Sequence, residues 1–408
     1  MAVRRYKGLF ASFLALDRRI WILAATRCIN TMGFSLVMPF MGIYLVERRG
    51  ARATTFGLLL TLSGLFAAAS QALAGELADR LGRRRVMVVA LALRSLNMAG
   101  LGLAVVYHAP IWAIGVLLIM NGFLRGQYEP AANAAVTSYA PAHLRIAAFG
   151  LQRIGLNLGW AIGPALGGAL APHSYGAMFF VAAPMMLAAM IAVQRAVEDT
   201  PIQRGEPSGQ LSLRERWRAV RQNRRFYIYL VLVLFGSVMT VQLFSTLSIF
   251  SKMELGLGEA QIGLLYTVNG FLVVILQIPA VALIDRHGPR RALVIGPLLY
   301  TLAYVSVGFA SSFGLLALSV VLLTAGEVVF APALSDMAAH LGDPKRLGRA
   351  FGLFGLMQQA GVSLGPLVGG IIFDRFRTQH TTMWGVIALG TAVVGLGYFL
   401  FAATWRER

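Results

Sequence analysis

Long apolar stretches alternate with short polar ones along the whole chain. Twelve apolar stretches begin near Ile20, Thr55, Val86, Ile111, Ala148, Tyr175, Phe226, Ile262, Ala292, Gly314, Ala350 and Met383. A helix of about 20 apolar residues crosses the hydrocarbon core of a bilayer. The pattern therefore predicts an all-α polytopic membrane protein with twelve transmembrane helices. An even number of spans puts both termini on one side.

One polar interruption is longer than the rest, and it divides the chain into residues 1–195, a linker at 196–225, and residues 226–408. The linker contains Gly205, Pro207, Ser208 and Gly209, followed by Ser212-Leu213-Arg214-Glu215. The last four residues have the form of a helix capping box. They predict a basic amphipathic helix from Leu213 to Arg225, lying on the membrane surface as a linker or serving a regulatory role. The segments on either side repeat one another. Phe56-Gly57-Leu58-Leu59 recurs as Ile262-Gly263-Leu264-Leu265, and Asp79-Arg80-Leu81-Gly82 as Asp285-Arg286-His287-Gly288, both 206 residues later. Ala148-Phe149-Gly150 recurs as Ala350-Phe351-Gly352, and Gly163-Pro164 with Gly167-Gly168 as Gly365-Pro366 with Gly369-Gly370, both 202 residues later. Matched blocks in one order indicate two related six-helix halves.

Composition narrows the class. Hydrophobic residues make up 57% and charged residues 13%, with a mean hydropathy of +0.69. A soluble domain carries about a quarter charged residues, so soluble classes are excluded. The net charge of +19 would suit nucleic acid. However, most lysines and arginines fall in the termini and in alternate loops, the bias of cytoplasmic loops in membrane proteins. That charge favours anionic lipid headgroups, and no nucleic-acid partner is expected. A single cysteine, Cys28, excludes an intramolecular disulfide. The six histidines lie in loops or near span ends, and no metal cluster, cofactor motif or nucleophile–base arrangement is expected. Gly8 to Leu16 is apolar but short, and Asp17-Arg18-Arg19 follows without a small-residue cleavage site. It predicts a surface-lying segment rather than a cleaved signal.

Between the second and third spans runs Gly75-Glu76-Leu77-Ala78-Asp79-Arg80-Leu81-Gly82-Arg83-Arg84-Arg85. It is expected to form a tight polar loop, reversed at its glycines and held inside by its arginines. With its pattern G-x-L-A-D-R-x-G-R-R-R, it resembles the signature loop of the major facilitator superfamily, and the resemblance extends over nearly the whole chain. The resemblance implies two pseudo-symmetric halves related by an axis along the membrane normal, with alternating access to a midplane site. It further implies a cytoplasmic gate of Gly75, Asp79, Arg80, Gly82, Arg83 and Arg84. Asp79 would face the first turn of the helix beginning near Ala350, where a helix dipole favours a carboxylate by about 0.3–1 kcal/mol. The second copy is degraded, with Val281 in place of Gly75 and Pro289 in place of Arg83.

The fifth span carries Gly159, Gly163, Pro164, Gly167 and Gly168. Small residues four apart let another helix approach closely. The run G-x-x-x-G-P-x-x-G-G resembles a motif of proton-coupled drug exporters in the superfamily. The eleventh span has much the same pattern, so generic close packing is the competing reading.

Polar groups inside spans are costly in lipid and point to function. By the resemblance, spans one, four, seven and ten line the cavity. The candidate lining is Arg27, Asn30, Arg125, Tyr128, Gln242 and Asn269, with Gln358. Arg125 and Glu327 are equivalent at the offset of 202 and are expected to face each other. A carboxyl group that alternates between dry surroundings and an arginine can switch its charge, so Glu327 is the leading proton-coupling residue. Glu129 is the second candidate, and a structural pair with Arg27 competes with that role. Gly122 stands where the family pattern has an arginine before F-L-x-G, so a relay through that position would require Arg125 instead.

These features predict a secondary transporter and not an enzyme. The expected activity is proton-coupled export of drugs or other amphipathic small molecules from a bacterial inner membrane, with both termini cytoplasmic. The partners would be a small-molecule substrate, protons and membrane lipids, and the protein is expected to be a monomer. Arg27, Arg94, Arg125 and Arg153 against Glu129 and Glu327 support an alternative, a proton-coupled carrier of a specific anionic or zwitterionic solute such as an organic acid, siderophore or lipid-like molecule. A non-transporting membrane receptor is the third reading.

Overall fold

The computed structural model describes residues 13–198, 224–342 and 347–404. The predicted linker helix at 213–225 therefore lies outside the described residues, except for Arg224 and Arg225. Twelve long helical segments run through the described residues. The first, α1, spans Arg18–Arg48. It is followed by α2 (Ala53–Leu81), α3 (Arg83–Val106), α4 (Ile111–Tyr139), α5 (Arg145–Leu170) and α6 (Tyr175–Ala196). The second six begin with α7 (Arg224–Met253). They continue with α8 (Glu259–His287), α9 (Pro289–Gly308), α10 (Phe313–Leu341), α11 (Leu347–Phe376) and α12 (His380–Ala403).

Each helix starts no more than three residues before its predicted apolar stretch. The added residues are polar first turns, such as Arg83-Arg84-Arg85 and Pro289-Arg290-Arg291. Ten helices are long and apolar enough to span by composition alone. The other two, α4 and α5, fall short because they carry Arg125, Gln127, Glu129, Gln152 and Arg153. At 29 and 26 residues, they are long enough to cross a bilayer.

The expected tight loop at 75–85 is corrected. The α2 helix runs on to Leu81, and the turn consists of Gly82 alone, at φ +90°. Gly288 makes the equivalent turn between α8 and α9 at φ +83°. Both positions need the left-handed region, which glycine enters without a Cβ penalty.

The opening helix of each half is interrupted at a similar depth. The first part of α1 ends at Ser35, just before Met38-Pro39, and the helix closes in a π-helical turn, Tyr44–Arg48. Proline lacks the N–H that would continue the ladder. The first part of α7 ends at Thr240, and the helix resumes at Gln242.

Contacts divide the chain into two compact units, Met1–Met41 with Leu65–Arg204, and Gly42–Gly64 with Gly205–Arg408. In the first, α1 packs on α5 and α6, and α3 on α4 and α6. In the second, α7 packs on α11 and α12, α9 on α10 and α12, and α8 on α10. The glycine ridges form the tight seams. A Cβ at Gly159 would lie 2.7 Å from the Cys28 carbonyl oxygen, and one at Gly167 would overlap the Leu36 carbonyl. Gly361, Gly365 and Gly369 of α11 meet α7 in the same way. Gly168 is buried, and Pro164 lies inside α5. Ser35 donates to the Gly159 carbonyl at 2.9 Å across the first seam.

Candidate functional site

In the first unit, the polar residues of α1, α3 and α4 form two layers. Arg27 donates to Glu129, and to the Asn133 Oδ1 at 3.1 Å. Their side chains are 12% and 27% exposed, so this ion pair is largely desolvated. Arg94 is fully buried. It donates to the Asn30 Oδ1, and to the Asn121 Oδ1 at 3.4 Å, while one terminal nitrogen lacks a protein partner among the described residues. Its partners are neutral amides, so its charge is solvated by dipoles rather than matched. Arg125 is half-buried and lies over the Phe34 ring at 4.9 Å, a cation–π contact. Phe34 in turn meets Trp160 edge-on at 6.1 Å. Tyr128 is buried, its hydroxyl 3.4 Å from the Thr26 Oγ1. Arg153 is exposed on α5.

The second unit carries the other carboxylate. Glu327 is half-buried on α10 and accepts from the Asn269 Nδ2 at 3.1 Å. The same amide donates to Thr324 at 2.9 Å, and Thr324 donates to the Val320 carbonyl at 2.7 Å. This chain of bonds fixes the α8 amide against α10. Gln242 is buried at the α7–α11 seam, where it donates to the Val238 and Gly365 carbonyls and accepts from Thr246 at 2.7 Å. Its hydrogen-bonding groups are thus taken up by packing. Gln358 is half-buried on α11. Tyr266 and Phe330 are core residues, bonded to the Leu243 carbonyl at 2.8 Å and edge-on to Tyr398 at 5.3 Å respectively.

Within the loop motif, Arg83 donates to the Ala134 carbonyl of α4 at 3.0 Å, and Arg84 to the Gln194 carbonyl of α6 at 2.6 Å. These bonds tie the start of α3 to its neighbours. The bond repeats in the second half, where Arg290, 206 residues after Arg84, donates to the Ala402 carbonyl of α12. Arg80 is exposed. Gly75 lies within α2, and the side chains of Asp79 and of residues 347–349 lie outside what the structure describes.

Asp374, at the end of α11, is a residue that sequence reasoning missed. Its carboxylate accepts from the backbone N–H groups of Ala53 and Thr54 at 3.0 and 2.8 Å, and from the Thr54 hydroxyl at 2.6 Å. The first turn of α2 is thereby capped by a carboxylate about 320 residues away. A hint existed in the sequence: Arg52 precedes α2 where Ser, Thr, Asp or Asn would supply its own cap. Nearby, Lys252 pairs with the buried Glu259 at 3.1 Å, and Glu254 with His380 at 2.8 Å.

Twelve membrane helices, an internal repeat and charged groups inside the bundles define a polytopic membrane transporter. The Major Facilitator Superfamily profile matches residues 23–258 and 243–408, and the chain belongs to that family. The family consists of transporters rather than enzymes. The chain is 25% identical over 385 residues to the uncharacterized MFS-type transporter YqjV of Bacillus subtilis, covering 94% of this chain and 93% of the relative. It is 26% identical over 403 residues to the multidrug resistance protein MdtH of Cronobacter sakazakii, covering 96% and 94%. Among solved structures, the nucleoside transporter NupG superposes with a TM-score of 0.81 at 15% identity, over 96% of this chain and 100% of that one. That likeness shows a shared fold.

Proposed function

We propose that this transporter is a proton-coupled exporter of drugs or other amphipathic small molecules. It would act in a bacterial inner membrane with both termini cytoplasmic, working by alternating rocking of residues 1–195 and 226–408. The observation that carries the reading is the place of Glu327, a half-buried carboxyl group within α10 that accepts from the Asn269 amide of α8 at 3.1 Å. A carboxyl group in such surroundings changes its charge as solvent reaches or leaves it. Glu129 bonds Arg27. Glu327 is therefore the proposed coupling residue and Glu129 the structural one. Arg125 and Asn269 are the residues proposed to meet the substrate. Relatives named multidrug resistance proteins support the drug class.

A specific observation favours a second reading. Arg94 is buried against neutral amides and keeps one nitrogen without a protein partner among the described residues. An anionic or zwitterionic solute would match that charge. Proteoliposomes with an imposed proton gradient separate the two readings. The export reading expects uptake of lipophilic cations and neutral drugs into inside-acid vesicles. Uptake confined to organic anions, and lost in Arg94→Gln, would replace it with the second.

A further inference from the structure

The end of α8, the start of α9 and the end of α12 border a groove of about 510 Å³. Its rim is basic, with His287, Arg290 and Arg291, and its wall is apolar, with Val294, Ile295 and Phe399; among the described residues no acidic side chain lines it. Arg290 is fixed in place by its bond to the Ala402 carbonyl, and the His287 ring by one to the Leu283 carbonyl at 3.0 Å. Two of the three basic side chains are thus braced by backbone carbonyls, Arg290 by one of α12 and His287 by one a turn earlier in α8. Phe399 and Ile295 are 51% and 43% exposed, and the apolar surface continues along both helices through Leu298, Leu302 and Leu396.

We propose that this groove is a binding site for an anionic phospholipid. The phosphate would sit between Arg291 and His287 beside Arg290, with the acyl chains along α9 and α12. Three features select this occupant. The rim is positive and lies at an end of membrane-spanning helices, where basic pockets between helices bind acidic headgroups. The wall is apolar, which a free phosphate ion would leave unused. A cavity of this volume holds a headgroup and the first acyl carbons, not a macromolecule.

The test uses the purified full-length protein in zwitterionic-lipid nanodiscs, with spin-labelled phosphatidylglycerol and phosphatidylcholine as probes. The expected result is phosphatidylglycerol association at least fivefold above phosphatidylcholine. Arg291→Gln should lower that preference about fivefold, which corresponds to about 1 kcal/mol for one basic residue at the membrane surface. Arg195→Gln, which removes a charge on α6, should leave it unchanged. Among the described residues Arg291 makes no helix-bracing bond of the kind that holds Arg290, so its variant should keep the native helix content by circular dichroism. Equal association of the two lipids would overturn the proposal, as would an equal loss in both variants. Displacement of the label by millimolar inorganic phosphate would reassign the groove to a free anion and also overturn it.

Discussion

At the scale of single residues, burial and pairing separate structural from mechanistic charges. Arg27 and Glu129 were legible in the sequence as a possible pair, because both sit at similar depth in their spans, and the structure joins them. Glu129→Gln is expected to lower the unfolding free energy by on the order of 2 kcal/mol. That is less than the 3–5 kcal/mol of a fully buried pair, since the carboxylate keeps some solvent. The double variant Arg27→Met, Glu129→Leu should recover much of the loss, and thermal unfolding in detergent reads both. The environment of Arg94 was not legible. A lone arginine in an apolar run reads equally well as a span end or a buried group, and only the three-dimensional meeting of α1, α3 and α4 supplies Asn30 and Asn121. The same holds for Gln242, whose amide serves the α7–α11 seam.

At the scale of elements, hydropathy alone located the helices, because a bilayer imposes one span length on all of them. It misjudged their ends, where arginines and prolines extend the first turns past the apolar core. The loop motif was misread as a loop because glycine and charge are ordinary breaking signals. In fact α2 carries most of it, and one glycine completes the turn. The glycine ridges of α5 and α11 are both faces of close approach, and their repetition bears on function. If the fifth-span motif were an export device, the two ridges would respond differently. As packing faces, they should instead respond alike, Gly167→Ala and Gly369→Ala each costing about 1–3 kcal/mol through overpacking. Thermal stability should fall for both, and substrate selectivity should not change in the variants that survive.

At the scale of the whole molecule, the chain folds as repeated halves, yet one of its contacts ignores the repeat. Asp374 caps α2 although the two lie far apart in sequence, and no copy of this bond follows from the offsets of 202 or 206. Sequence periodicity cannot announce such a partner, because the spacing carries no local signal. Asp374→Ala should speed hydrogen exchange at the Ala53 and Thr54 amides several-fold while leaving α5 unaffected, as peptide-resolved exchange would report. Whether Glu327 carries the transported proton is read in proteoliposomes with a pH-sensitive dye trapped inside. Substrate-dependent proton flux is expected in the wild type and none in Glu327→Gln, with the variant still binding substrate. Undiminished flux in Glu327→Gln would contradict it and move the coupling to Glu129 or another group.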